Sequence, residues 1–297
     1  MTTHTVGLLS PGEMGHTIGQ VLHASGLQVL THLGGRSERS RALATQAGIQ
    51  DTPSIDDLVG EAEILLSVLV PARATSVADE VATALERTRA DLLYVDCNAI
   101  APPTVKRIGA RILSAGGRFA DAGIVGPPPR KPGTTRFFAS GPGAAEFAEL
   151  CGRALDVRVI GDGIGQASGL KMCYAALTKG LIALGTELLL AAHLMGLDDA
   201  LRDEQRESIP SVLAWLEGMM PTMPPKAYRW VGEMEEIATT FSALGLTPRM
   251  LEGAADMYRF VAETPLGRET PETRDPNRDA YGVVTALADA LEKRGAS

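Results

Sequence analysis

Apolar and polar positions alternate in two different periods along this chain. Short apolar runs at 6–9, 28–33, 64–69, 92–96, 119–122, 136–139 and 157–160 have the length and composition of β-strands. Amphipathic stretches at 13–24, 37–47, 74–85, 103–115 and 144–154 have helical spacing and fall between most of those runs. Strand alternating with helix predicts βαβ units and a parallel sheet with helices on both faces. The last runs lie closer together, which predicts an antiparallel extension of the sheet.

The pattern changes after Gly161-Asp162-Gly163-Ile164-Gly165. Leu170, Tyr174, Leu177, Leu181, Leu184 and Leu188 then recur at helical intervals, and no proline interrupts 166–209. This predicts one long helix that opens an all-helical region. The expected division is a sheet domain at 1–161 and a helical domain at 162–297. Pro221 to Pro225 reads as a loop inside the second domain. The stretch 264–279, with Pro265, Pro271 and Pro276, reads as a surface loop before a last short helix.

The first strand leads into Ser10-Pro11-Gly12-Glu13-Met14-Gly15, and a helix follows. Strand, tight turn and helix N-terminus form a pyrophosphate site, because unpaired N–H groups and a partial positive charge meet the anion there. Gly12 lets phosphate approach the backbone, and Gly15 lets helix and strand pack closely. Ser10 stands where G-x-G-x-x-G has its first glycine. The predicted fold is therefore α/β: an N-terminal Rossmann-type doubly wound sheet, then an all-α C-terminal domain begun by the long helix.

The second strand ends Thr31-His32-Leu33-Gly34-Gly35-Arg36-Ser37-Glu38-Arg39. An acid at this tip binds the ribose hydroxyls of NAD. Here arginine and serine follow instead, so Arg36, Ser37 and Arg39 are the expected holders of a 2′-phosphate, and NADP(H) is preferred over NAD(H).

Composition narrows the class. The chain has 297 residues, 45% hydrophobic and 4% aromatic, with a net charge of -8. Without a long basic run, nucleic-acid binding is not expected. Three separated cysteines form neither a disulfide framework nor a metal motif, which points to a reducing, cytoplasmic setting. The start lacks a basic n-region, so no signal peptide is expected. The apolar stretch 181–197 contains Glu187 and His193 and reads as a buried helix, with no membrane role expected.

Four segments then fall into register with one family. Gly7, Gly12, Met14 and Gly15 match a G-x-x-G-x-G-x-M-G opening. Asp96-Cys97-Asn98-Ala99-Ile100-Ala101-Pro102 resembles an Asp-x-Ser-Thr-x-x-Pro segment. Asp121-Ala122-Gly123-Ile124-Val125-Gly126-Pro127 resembles Asp-Ala-Pro-Val-Ser-Gly-Gly, and a Gly-Thr pair follows at Gly133-Thr134. Gly163-Ile164-Gly165 and Lys171 resemble a Gly-x-Gly followed by Lys-x-x-Asn-Asn. The chain thus resembles the β-hydroxyacid dehydrogenases, which include 3-hydroxyisobutyrate and 6-phosphogluconate dehydrogenases. It departs at Ser10, at Asn98-Ala99, at Val125, and at Tyr174-Ala175, as in a divergent branch.

The resemblance implies an NADP(H)-dependent oxidoreductase that interconverts a small hydroxy acid and its carbonyl compound. Lys171 would be the general acid/base. Ser10, Pro11, Gly12, Glu13 and Met14 would cradle the pyrophosphate. Leu69, Val70 and Asn98 would lie by the nicotinamide, and Val125, Gly126 and Tyr174 by a small, anionic substrate. Family members pair through the helical domain, so a homodimer is expected. Related imine reductases share the fold but generally lack this lysine. A non-catalytic NADP-binding protein is the reading that the loss of Ser at Val125 and of Asn at Tyr174 leaves open. Other polar residues carry weaker signals. Lys179 reads as a solvated or interface lysine, with a second polar group in the cleft as the alternative; Arg130 and Lys131 read as solvated, and Glu233, Glu235 and Glu236 as a charged helix face. His193 reads as a core or interface histidine, and Cys173 has no paired base. No metal site is expected.

Overall fold

A computed structural model describes residues 4–270 and 272–295. The chain divides into two compact units, residues 1–173 and 174–297, and the division falls inside one long helix.

The first unit is built on an eight-stranded sheet of order β3-β2-β1-β4-β5-β6-β7-β8. Its elements run β1 (Thr5–Leu9), α1 (Glu13–Ala24), β2 (Gln28–Thr31), α2 (Glu38–Gln46), β3 (Gln50–Asp51), α3 (Ile55–Glu61), β4 (Ile64–Ser67) and α4 (Pro71–Thr88). They continue through β5 (Leu93–Asp96), α5 (Pro102–Ser114), β6 (Arg118–Val125), β7 (Arg136–Ser140), α6 (Ala144–Cys151) and β8 (Asp156–Gly161). Neighbouring strands are parallel except β6 and β7. The antiparallel extension expected from the spacing is therefore present. The short β3 and α3 were not expected, because two strand residues and a seven-residue helix are too brief to show a period.

Both sheet faces are covered, which explains why the strands read as continuous apolar runs. Ile64, Leu66, Leu93, Val95, Ala120 and Ala122 face the layer of Ile18, Leu22 and Phe147. The intervening Leu65, Tyr94 and Phe119 face Val77, Val81 and Ile108 on the opposite side. Strand order reverses at β1, which is flanked by β2 on one side and β4 on the other. Ligands of open α/β sheets bind at such a switch point, beyond the C-terminal strand ends.

The long helix α7 spans Gln166–Leu194. Its first turn is tied to the sheet by Asp121. That carboxylate accepts the backbone N–H of Gly165 at 2.9 Å and of Ser168 at 3.0 Å, and the Ser168 hydroxyl at 2.5 Å. The acid thus does the work of a helix cap from a neighbouring strand. Burial raises its pKa, against the opposing pull of those hydrogen bonds.

The second unit is all-helical. It holds the rest of α7, α8 (Asp198–Ser208), α9 (Pro210–Met219), α10 (Ala227–Ala243), α11 (Arg249–Glu263) and α12 (Ala280–Gly295). Two sequence expectations change here. The prolines at 221–225 form consecutive 3-10 turns, with Pro224 and Pro225 buried. The last helix is not short: it runs sixteen residues and buries Val283, Val284, Leu287 and Ala288.

The apolar stretch of α7 also departs from the expectation of a buried helix. Leu177 and Leu184, seven residues apart on one face, and Met195 just past the helix end stay open. Leu177 is 67% exposed, Leu184 56% and Met195 64%. The helix is long and apolar enough to cross a membrane by those measures alone, with a mean hydropathy of 1.5 over its best window.

Candidate cofactor and catalytic site

The turn after β1 forms an open cradle over the first turn of α1. Ser10 adopts φ +67°, the left-handed region that non-glycine residues rarely occupy. That explains why glycine suits this position in related turns. The Gly12 N–H then donates to the Ser10 carbonyl at 2.7 Å, and α1 starts with no side-chain cap on its N-terminus. A Cβ on Gly12 would meet no atom within 4 Å, so space lies open over the first turn. A Cβ on Gly15 would sit 2.3 Å from the Ser10 carbonyl oxygen. Only glycine permits that approach of helix to turn. The uncapped N-terminus, with its partial positive charge, fits a pyrophosphate.

At the tip of β2 the basic residues divide. The Arg41 guanidinium donates to the Leu33 carbonyl at 2.6 Å and pairs with Asp51 at 3.7 Å. Asp51 in turn accepts the Leu33 N–H at 2.8 Å. Arg41 thus builds the loop. Arg36 is half-buried and Arg39 exposed, and neither guanidinium has an internal ion pair among the described residues. Ser37 caps α2 through the Ser40 N–H. Glu13 and Met14 stand half-buried in the first turn of α1, and Pro11 is buried.

The loop after β4 lies next to the cradle in the sheet. Val70 is 49% exposed there, and Leu69 is half-buried. Asn98 is 2% exposed, and its side chain clamps this loop. Its Oδ1 accepts the Leu69 N–H at 2.6 Å, while its Nδ2 donates to Ser67 Oγ at 3.0 Å. The structure thus gives Asn98 a task that the sequence did not reveal: it shapes the 68–70 loop. Beneath it, Asp96 Oδ1 accepts the Asn98 N–H at 2.9 Å. Asp96 Oδ2 is buried with no hydrogen-bond partner among the described residues, and burial pushes the carboxyl up to about 7.

Lys171 sits on the first turns of α7, half-buried. Its Nζ donates to the Ile124 carbonyl near the C-terminal end of β6, at 2.6 Å. Gly123 makes this placement possible: a Cβ there would lie 2.7 Å from the Ala167 carbonyl oxygen and 3.0 Å from Lys171 Cβ. Val125 is buried, and Gly126 takes φ +123° with Thr134 packed against it. Tyr174 is 48% exposed on α7.

The weaker sequence signals resolve unevenly. Of the two expectations for Lys179, solvated or interface, the first does not hold: it forms an ion pair with Glu233, with side-chain exposures of 13% and 14%. Its Nζ also lies 5.3 Å from the Trp230 ring centroid, and the Tyr258 hydroxyl donates to its backbone carbonyl at 2.6 Å. Glu235 pairs with Arg259 on the surface. His193 pairs with Asp198 at 3.1 Å. Arg130 and Lys131 are exposed, as expected. Cys97 and Cys151 are buried, and burial raises both thiols, Cys151 to about 12, so neither is a nucleophile. Among the described residues no His, Cys, Asp and Glu cluster suits a metal.

A glycine-bearing turn at a sheet's switch point, opening onto an uncapped helix, defines a dinucleotide-binding protein. Comparison with known proteins gives the family. Residues 5–152 match the NAD binding domain of 6-phosphogluconate dehydrogenase, and residues 192–261 match a domain of unknown function, DUF1932. The chain is 27% identical over 260 residues to an uncharacterized 28.5 kDa protein in the 7S RNA 5′ region of Methanothermus fervidus. That match covers 87% of this chain and 99% of the relative. The solved structure of conserved protein MTH1747, of unknown function and described as similar to 3-hydroxyacid dehydrogenases, is 29% identical. Its TM-score is 0.68, covering 87% of this chain and 97% of that one. Mycobacterium tuberculosis 3-hydroxyisobutyrate dehydrogenase, solved with L-serine, shares the fold at 18% identity. Its TM-score is 0.70, over 96% of this chain and 99% of that one. The chain belongs to the β-hydroxyacid dehydrogenase family, and is an NAD(P)-dependent oxidoreductase.

Proposed function

We propose that this protein reduces a small carbonyl compound to its hydroxy acid, or runs the reverse reaction, with NADP(H) as cofactor and Lys171 as general acid/base. The observation that carries the reading is the placement of Lys171, held at 2.6 Å on the Ile124 carbonyl beside the C-terminal strand ends. When bound, the nicotinamide supplies or accepts hydride at its C4 carbon. In reduction, Lys171 donates a proton to the substrate oxygen and stabilises the negative charge developing there. In oxidation, its neutral amine takes the hydroxyl proton. The Ile124 carbonyl accepts a hydrogen bond from either protonation state, so it orients Nζ throughout the cycle.

Ser10, Pro11, Gly12, Glu13 and Met14 surround the pyrophosphate in this reading. Arg36, Arg39 and Ser37 receive the 2′-phosphate. Two guanidiniums without an internal ion pair among the described residues support NADP over NAD, because charge-assisted hydrogen bonds to phosphate are what such groups form most strongly. Leu69 and Val70, braced by Asn98, border the nicotinamide. Val125, Gly126 and Tyr174 border the substrate. The presence of Lys171 favours carbonyl reduction over imine reduction. The open positions Leu177, Leu184 and Met195 support a homodimer formed through α7, since a soluble monomer rarely leaves such a patch bare. Three free cysteines support a cytoplasmic setting.

The test is a panel of small 2- and 3-hydroxy acids and their keto acids, followed by NADPH absorbance at neutral pH. Turnover of one or more compounds is expected. Tight NADPH binding with no turnover across the panel would instead support the non-catalytic alternative.

A further inference from the structure

The loop between β4 and α4 pins two of its side chains and presents the third. Val68 packs on the core layer that holds Ile18 and Leu22, and Leu69 on the opposite layer, with Val77 and Val81. Val70 is 49% exposed and is the N-cap residue of α4, at φ -72° and ψ 147°. Pro71 follows it as the first helical residue. Proline confines the residue before it to extended backbone, so Val70 is stiff on its C-terminal side.

On the N-terminal side the loop backbone is held from both neighbouring strands. The Val68 N–H donates to the carbonyl of Leu9, the last residue of β1, at 3.4 Å. The Leu69 N–H donates to Asn98 Oδ1 at 2.6 Å. The first bond is long and the second short, so Asn98 is the stronger hold. Asn98 is itself fixed. Its Nδ2 donates to Ser67 Oγ at 3.0 Å, and its N–H donates to Asp96 Oδ1 at 2.9 Å. The Cys97 N–H donates to the Ser67 carbonyl at 2.9 Å, which closes the ends of β4 and β5 around it. A backbone N–H can only donate, so the amide stands one way round, with Oδ1 towards Leu69. At 2% exposure, Asn98 acts on a ligand through this loop and not by touching it.

We propose that Asn98 is a positioning residue for the nicotinamide ring: it clamps the Leu69 backbone, thereby holds Val70 in place against the ring, and so sets affinity for that end of the cofactor alone. This rests on the NADP(H) reading above. With Leu69 clamped before it and Pro71 behind it, Val70 is an apolar side chain on a preorganised backbone. Such a group packs on a flat ring with little ordering left to lose on binding. The partners of the clamp, Leu69, Ser67 and Asp96, belong neither to the 10–14 turn nor to the 36–39 loop. Loosening the clamp therefore acts on the nicotinamide end and spares the phosphates.

The experiment is calorimetric binding to the full chain, and it needs no substrate. It compares NADPH with 2′-phospho-ADP-ribose, which carries both phosphate sites and the adenosine but no nicotinamide ring. Asn98→Ala should weaken NADPH about tenfold and 2′-phospho-ADP-ribose by less than about twofold. Val70→Ala should separate the two ligands in the same direction, by about threefold. The double variant should bind NADPH no more weakly than Asn98→Ala alone, because both changes act through one side chain. Ser67→Ala frees the amide to turn and should weaken NADPH about threefold, and it serves should Asn98→Ala not fold. A merely structural role would lower Tm without separating the two ligands. Equal weakening of both ligands, no weakening of either, or additive losses in the double variant would overturn the proposal and leave the NADP(H) reading standing. Wild type that binds neither ligand overturns that reading, and the proposal with it.

Discussion

Lys171 and Lys179 lie on the same helix, eight positions apart, and the fold gives them different partners. Lys171 meets a neutral carbonyl, Ile124. Lys179 meets the Glu233 carboxylate and the face of Trp230. A carbonyl orients an amine through a hydrogen bond alone, whereas a carboxylate holds it in an ion pair. Residue type and helix position alone do not separate the two lysines. Their partners do, and those partners come from β6 in one case and α10 in the other. The same distinction separates Arg36 from Arg41 at the tip of β2: Arg41 is taken up by Leu33 and Asp51, and Arg36 is not.

Breaking the structural side of this comparison should have the largest effect on stability. Lys179→Met removes the ion pair that Lys179 makes with the half-buried Glu233 and should cost about 3 kcal/mol, read by urea unfolding. Adding Glu233→Leu should recover most of that loss. A double variant as unstable as the single one would show that the pair is not the cause.

Asp96 gives the next largest effect, and its sign can be worked out. Burial raises its folded pKa to about 7, well above the usual carboxylate value of about 3.9. The folded state therefore binds the extra proton, its stability contribution is fully present below about pH 4, and it is lost as pH rises through about 7. Asp96→Asn removes this titration. Relative to wild type, the variant should gain roughly 3 kcal/mol more at pH 8 than at pH 5. A pH-independent difference would show that the carboxyl is not held in its neutral form.

On the chemical side, Arg36→Ala should weaken NADPH binding about tenfold to a hundredfold and change NADH by less than about twofold, by fluorescence titration. Equal weakening of both would remove the 2′-phosphate assignment. The smallest effect is expected at the cradle. Ser10→Gly relieves the left-handed backbone and should raise stability by about 1 kcal/mol, read as a higher Tm. A loss of stability would mean that the serine hydroxyl does something the backbone strain does not reveal.

Much of the sheet unit was legible because strands covered on both faces leave unbroken apolar runs, and α1 falls where Glu13 to Ala24 keep helical spacing. The cradle was legible because Gly12 and Gly15 answer local demands of a turn. What long-range contacts decide was not legible. Asn98 reads as a cofactor contact, yet its partners are Leu69 and Ser67, about thirty residues away. Lys179 reads as a solvated or interface lysine, and its partners Glu233 and Trp230 arrive from another helix. The open stripe on α7 has the composition of a core, and only the folded chain shows it uncovered.

The most direct test of the central claim compares wild type with Lys171→Met on a substrate that the panel identifies, measuring NADPH affinity and kcat separately. The account predicts NADPH affinity within about twofold of wild type and kcat lowered by about 10²–10⁴. Full turnover in Lys171→Met would contradict it.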